Sequence, residues 1–306
     1  MCERVGTRYQ WRLQFVVSRV EGFDKPTGEG RCGVDVNWSK MDDGGLFIAA
    51  VYGKDADGEH EDSLVLPARY LDHYRKAELL QGIVDKDFNE AVEKLRNWLS
   101  QDEWFNIKLP LWFTDDTKTL HQWKSPRRLY ILMRKWHQNR FAGDEDIFAK
   151  MKAWLQRYNH IFNLLVNQKK KFVARRDHLY RTFVADMRKR YSKAYIEKID
   201  IAEMKKQPGV TEEAKKATRV NRDVAAPGRL LQIIRETMKY DEVNAAYSSK
   251  ECHCCNKITG LTDEQNYTCE HCGTTWNRHF NAARVLFGRG ESRKGKTKKR
   301  AGKRNN

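Results

Sequence analysis

Hydrophobic periodicity changes twice along the 306 residues. Up to Leu66 the apolar positions come in short runs: Tyr9 to Val17 (YQWRLQFVV), Cys32 to Val36 (CGVDV), Leu46 to Tyr52 (LFIAAVY) and Ser63 to Leu66 (SLVL). Runs this short, rich in β-branched and aromatic residues and split by Asp/Gly turns, predict strands. The last three read as an antiparallel meander, and Gly22 to Gly30 reads as a linker after the first. From Pro67 to about Tyr191 the spacing becomes helical, as in Leu129, Leu132, Met133 and Trp136, then Trp154, Leu155, Tyr158, Phe162 and Leu165. A strand is predicted again at Ala194 to Ile201 (AYIEKIDI), followed by a polar Lys-rich loop to about Asn221. Pro227 then opens a helix with Leu230, Ile233, Ile234 and Met238 on one face. Val243 to Tyr247 predicts a last strand and Trp276 to Phe287 a last helix, with no internal repeat. The class is α/β, its sheet interrupted by a large helical insertion.

Composition narrows the partners. Lys and Arg number 58 against 41 Asp and Glu, a formal charge of +17, so a polyanion is the first expectation and nucleic acid the leading one. Part of that charge is a tail: residues 289–306 carry nine Lys/Arg against Glu291 alone. Such a tail is either a solvated disordered end or a phosphate-tracking arm. Along the predicted helices, Lys169, Lys170, Lys171, Arg175, Arg176, Arg188, Lys189 and Arg190 alternate with Tyr180, Phe183 and Tyr191. They form either an ordinary solvated face or a groove for a nucleic-acid backbone. No apolar run approaches the ~18 residues of a membrane span, and the first residues do not begin a signal peptide. A soluble protein of a reducing, cytoplasmic compartment is expected.

The cysteines carry the strongest motif. Cys252/Cys255 and Cys269/Cys272 are two Cys-x-x-Cys knuckles with a hairpin-length gap, a spacing that predicts a four-thiolate structural Zn²⁺ ribbon. His253, Cys254 and His271 lie beside these ligands and could substitute, while Cys2 and Cys32 are left over. Trp276 is expected to pack the ribbon against the closing helix.

Two carboxylates need explaining. Asp35 sits inside an apolar strand (Gly33-Val34-Asp35-Val36-Asn37), where burial without a partner is costly. Alternation places Glu197 on one strand face with Ile199 and Ile201. Each is either outward-facing or a metal ligand, and oxygen ligands flanking a phosphodiester would suit Mg²⁺.

Together, Gly33-Val34-Asp35, Ile196-Glu197-Lys198-Ile199 and a Cys-x-x-Cys pair ahead of Asn281-Ala282-Ala283-Arg284 resemble the three parts of the RuvC-like nuclease domain of type V CRISPR effectors and their transposon-encoded TnpB relatives. Ser248-Ser249 and Ala226-Pro227-Gly228 resemble further family features. The resemblance implies an RNase-H-like fold with an inserted zinc ribbon, guide RNA and DNA as partners, and an acidic triad. Two members fall on Asp35 and Glu197; the third falls on His279, where the family has Asp. It further implies this organisation: 1–30, remnant strand and linker of a missing or separately encoded N-terminal region; 31–67, RuvC-like part I; 68–192, helical insertion; 193–248, part II; 249–275, ribbon; 276–288, part III helix; 289–306, disordered tail. Arg284 joins the candidate nucleic-acid contacts.

An imidazole removes a negative charge and favours Mn²⁺ or Zn²⁺ over Mg²⁺. V-M effectors, which bind targets without efficient cutting, are similar in having His at this position. Binding with weak or absent cleavage is therefore the leading expectation. An active Mg²⁺- or Mn²⁺-dependent endonuclease or TnpB-like protein, and a nonfunctional remnant or accessory module, stand as alternatives.

Overall fold

The structure is a computed structural model that describes residues 2–5, 8–11, 28–101, 109–198, 212–260 and 265–301; the side chains of 2–5, 8–11, 212–217 and 293–301 are left aside. The chain divides into two units, one of Met1–Val17 with Asp72–Val173 and the other of Ser18–Leu71 with Ala174–Asn306.

In the first unit, β1 (Cys2–Val5) and β2 (Arg8–Trp11) form an antiparallel hairpin in the register Cys2↔Trp11. The predicted strand to Val17 is thus seen as far as Trp11, and its remainder lies outside the described residues. Helices α1 (Asp72–Leu99), α2 (Leu111–Thr117) and α3 (Pro126–Gln138) follow, then α4 (Glu145–Arg190), which runs on into the second unit. Pro126 at the first helical position and the Ser125 side chain, which accepts the Arg127 N–H, start α3. Its apolar stripe Leu129, Leu132, Met133 and Trp136 enters a core shared with Trp98, Phe113 and Phe148. One carboxylate is built into that core. Asp144 is fully buried; it accepts the Trp136 indole N–H at 2.7 Å and is gripped by the Arg140 guanidinium.

The second unit is a five-stranded mixed sheet in the order β5-β4-β3-β6-β7. Its strands are β3 (Gly30–Lys40), β4 (Leu46–Asp55), β5 (Gly58–Leu66), β6 (Tyr191–Glu197) and β7 (Lys239–Val243). The first three form the antiparallel meander, while β6 and β7 join parallel to β3. Helices α5 (Glu212–Ala225) and α6 (Pro227–Thr237) pack on β3, and α7 (Arg278–Ala301) lies across β3, β4 and β6.

Several boundaries differ from the sequence reading. Of the polar segment predicted as a loop to about Asn221, the part from Glu212 is in helix α5 and the part before it lies outside the described residues; the last sheet strand is the polar Lys239–Val243, and Trp276 belongs to the strand β9 (Thr275–Asn277). Residues 199–201 of the predicted Ala194 to Ile201 strand lie outside the described residues. Helix α7 continues through residue 289, where a disordered tail is expected, to Ala301. Arg289 holds the carbonyls of Asn244 and Ala246, and Glu291 holds Arg31 at 2.7 Å, so the first of the added turns is tied down.

Close approach fixes α7 on the sheet. A Cβ on Gly33 would meet the Ala283 carbonyl oxygen at 2.2 Å, and one on Gly290 would meet the Tyr195 ring at 2.2 Å. Ala282 and Ala283 are buried where the helix backbone meets the strands. Alternation along β3 therefore turns Gly33, Asp35 and Asn37 toward α7. Among the described residues no helix is long and apolar enough to cross a membrane.

Candidate metal centres and their setting

The ribbon is built from two matching knuckles. Asn256 and Gly273 adopt the left-handed conformation (φ 58° and 72°) directly after the second cysteine of each knuckle. Asn256 N–H reaches the Cys252 carbonyl at 2.8 Å, and Gly273 N–H reaches that of Cys269 at 2.9 Å. In return, Cys252 N–H donates to the Lys257 carbonyl and Cys269 N–H to that of Thr274. These turns aim four sulfurs at one point. The Sγ atoms of Cys252, Cys255, Cys269 and Cys272 all lie within 4.8 Å of one another, an arrangement that could hold a metal ion. Burial opposes ionisation of Cys252, but the N–H groups of Cys255, Cys254 and Trp276 outweigh it and lower its pKa. The Thr274 hydroxyl and backbone N–H bring Cys272 down to about 6. Both shifts favour the thiolate, the form that ligates metal, whereas against the Lys257 N–H, burial and the neighbouring thiols push Cys255 up to about 12.

Neighbouring residues take other work. Trp276 stacks on Tyr267 of β8 (Asn266–Thr268), with ring centroids 5.0 Å apart, so its ring is spent inside the ribbon rather than against α7. One link to α7 is Asn281, which is fully buried. Its Oδ1 accepts the backbone N–H and ring Nδ1–H of His253, and its Nδ2 donates to the carbonyls of Glu251 and Ser248. Every hydrogen-bonding position of that buried amide is met. Cys254 and His271 are exposed.

The second centre lies on the α7 face of the sheet. Asp35 on β3 pairs in register with Ala50 of β4, and only 8% of it is exposed. Glu197 ends β6, parallel to β3 and one step beyond the Val34↔Ile196 pair. Val36 N–H donates to the Glu197 carboxylate. Burial, and then the Asp35 charge, push Glu197 up to about 8; burial likewise raises Asp35 against the pull of His279 and Arg278. A buried carboxylate that raises a half-buried one beside it is strained unless a proton or a cation lies between them.

His279 is the second residue of α7, which Asn277 caps by accepting its backbone N–H at 3.0 Å. Its ring stacks on Phe47 at 4.8 Å, and its Nδ1 lies 3.8 Å from Asp35 Oδ2. Asn37 is nearer, with its amide Nδ2 at 2.7 Å from His279 Nδ1. The structure thus brings Asp35 together with Glu197 and with His279. Among the described residues the four thiols are gathered as a potential metal cluster, and these three side chains are not. The sequence reading assigns Asn37 no role; its one signal is alternation, which puts it two residues beyond Asp35 on the same strand face.

The basic residues divide. Lys169, Lys171, Arg175, Lys189 and Arg190 are exposed, with Lys189 on Asp186 and Arg190 on Asp62; Lys170 and Arg188 are half-buried. Arg176 is a correction to the expectation of a solvent-facing array. It is buried beside Asp177 and donates to the Val224 carbonyl at 3.1 Å, securing the end of α5. Arg284 lies over the Tyr52 ring and reaches Glu61 at 3.0 Å.

Residues 232–286 match the family described as Cas12f1-like, TNB domain. The "CRISPR-associated DNA-binding protein Cas12m" of Allomeiothermus silvanus is 28% identical over 94% of this chain and 54% of its own length. The chain is thus similar to CRISPR-associated proteins of the type V effector kind. The protein of the same description from Thermanaerosceptrum fracticalcis is 26% identical over 93% of the chain and 48% of its own length. The chain therefore spans about half the length of the curated relatives it matches. Among solved structures, CasPhi-2 (Cas12j) bound to crRNA and phosphorothioate-DNA aligns over 85% of this chain and 45% of its own, at 13% identity and a TM-score of 0.41.

Proposed function

We propose that this chain is the RuvC-like and zinc-ribbon portion of an RNA-guided type V effector, binding DNA and guide RNA with weak or absent cleavage. In this reading the sheet of the second unit with α7 is an RNase-H-like fold, parts I, II and III falling on 31–67, 193–248 and 276–288. The helical insertion occupies 68–192 and the ribbon 249–275. The four thiolates hold Zn²⁺, which ties two knuckles too small to keep a core of their own. The observation that carries the reading is the pair of carboxylates, buried Asp35 and half-buried Glu197, on adjacent parallel strands beneath α7, with His279 at its head.

Their chemistry fits a hard divalent cation. Neighbouring oxygen donors with raised pKa values are what Mg²⁺ or Mn²⁺ would relieve, and a bound cation there would polarise a phosphodiester and activate water. Asp35 and Glu197 would hold it. His279 contributes no charge where a third carboxylate would, so cation affinity and cleavage are both expected to be low. Arg278, whose charge acts on Asp35, is placed to attract a phosphate.

The test compares the native chain with Asp35→Ala and His279→Asp in binding and cleavage assays, with Mg²⁺ and with Mn²⁺. DNA binding without cutting, and cutting gained only in His279→Asp, is the expected result. Cutting by the native chain that vanishes in Asp35→Ala would instead make it an active endonuclease.

A further inference from the structure

We infer that Asn37 is a positioning residue that holds the His279 imidazole in its Nε2–H tautomer, so that His279 enters the site as a hydrogen-bond donor and not as a metal ligand. The Asn37 side chain cannot turn over freely, because its Oδ1 is already committed. It accepts the backbone N–H of Trp38 at 2.6 Å and that of Ser39 at 2.9 Å, at the irregularity where β3 and β4 shift register between Val36 and Ser39. The amide nitrogen is therefore the end presented to the imidazole, 2.7 Å from Nδ1 and 3.4 Å from Nε2. An amide N–H donates, so Nδ1 must accept, and the proton of the neutral ring falls on Nε2. Asp35 Oδ2, the competing partner for Nδ1, stands at 3.8 Å, beyond a hydrogen bond.

The ring has little freedom to escape this arrangement. Phe47 stacks on it with an interplanar angle of 23°, and its backbone N–H is held by the Asn277 cap. With Nδ1 engaged by Asn37 and Nε2 protonated, neither nitrogen offers a lone pair to a cation. What remains is an N–H that can donate to an oxygen, such as that of a phosphate. The consequence for metal binding rests on the reading of Asp35 and Glu197 as a cation site; the tautomer does not.

The experiment uses the full chain labelled with ¹⁵N-histidine. Two-bond proton–nitrogen correlation spectra would be recorded for native protein and Asn37→Ala, and His279→Gln would identify the His279 signals by their loss. An unprotonated Nδ1 and protonated Nε2 are expected in native protein, with a shift toward mixed tautomers in Asn37→Ala. Mn²⁺ affinity, read by electron paramagnetic resonance, should rise about tenfold in Asn37→Ala, the scale on which outer partners tune a metal ligand. That gain should vanish in Asn37→Ala/His279→Gln. A protonated Nδ1 in native protein, or a tautomer unmoved by Asn37→Ala, overturns the proposal. If no variant binds Mn²⁺ while the tautomer behaves as expected, the reading of the carboxylates as a cation site fails and Asn37 keeps its role.

Discussion

Asn281 Oδ1 accepts both the backbone N–H of His253 at 3.0 Å and its ring Nδ1–H at 2.9 Å, so one buried amide joins the first knuckle of the ribbon to α7. Truncation would leave the His253 N–H and the Glu251 and Ser248 carbonyls without this partner. Asn281→Ala should cost about 3 kcal/mol in chemical denaturation. Asn281→Asp should also destabilise, because a carboxylate cannot donate to the two carbonyls. Proteolysis should then cut first around the knuckle.

Metal removal gives a separate handle on the ribbon. The Trp276 indole N–H lies 3.5 Å from Cys252 Sγ, and its ring stacks on Tyr267. A strong chelator should release one equivalent of Zn²⁺ per chain, measured by colorimetric titration, with a change in tryptophan emission. If the four thiols hold the ion as proposed, Cys269→Ser should abolish metal binding, since each thiolate would supply one of four ligands.

Stability in acid should hinge in part on Asp144. Burial alone would raise its pKa, but the Arg140 guanidinium, the Trp136 indole N–H and the Phe141 N–H outweigh that and hold it below its ordinary 3.8. A carboxylate with a depressed folded-state pKa stabilises fully above the unfolded value and loses that contribution as pH falls through the folded one. The affected window thus lies below pH 3.8. Asp144→Ala should cost about 3 kcal/mol at neutral pH and flatten the acid limb of the stability curve. Part of the ion-pair contribution is screened, as Arg140 is 41% exposed.

The legible parts of this fold were those where burial and chemistry conflict or where period is strong. Asp35 stood out as an acid inside an apolar strand, and the knuckles by spacing alone. The polar parts were hidden. Edge strand β7 (KYDEV) carries little apolar alternation because backbone pairing with β6 holds it, so the sequence pointed instead to the apolar Val243 to Tyr247. Helix α5 buries Val224 and Ala225 near its end, and its Lys-rich stretch read as a loop. Asn37 escaped because its role depends on an imidazole 242 positions away. Arg176 escaped because consecutive helix residues face different ways, and sequence alone did not show which one points inward.

Arg175 and Arg176 make that last point testable, since they are adjacent, carry the same charge and sit in opposite surroundings. Arg175 is exposed, whereas Arg176 is 8% exposed and supports the Val224 carbonyl beside Asp177. Arg175→Ala should leave stability within about 0.5 kcal/mol, as surface substitutions do. If the chain binds DNA through this part of α4, Arg175→Ala should weaken binding uniformly across sequences and reduce the salt slope by about one. Arg176→Ala should instead destabilise by about 2 kcal/mol, because it leaves the Val224 carbonyl unsatisfied and removes one of the two arginines on Asp177, Arg229 remaining. Any loss of DNA binding in that variant should follow unfolding rather than salt. Fluorescence anisotropy with labelled DNA at several salt concentrations, alongside urea denaturation, separates the two. Equal salt slopes for Arg175→Ala and native protein would remove Arg175 from the nucleic-acid contacts.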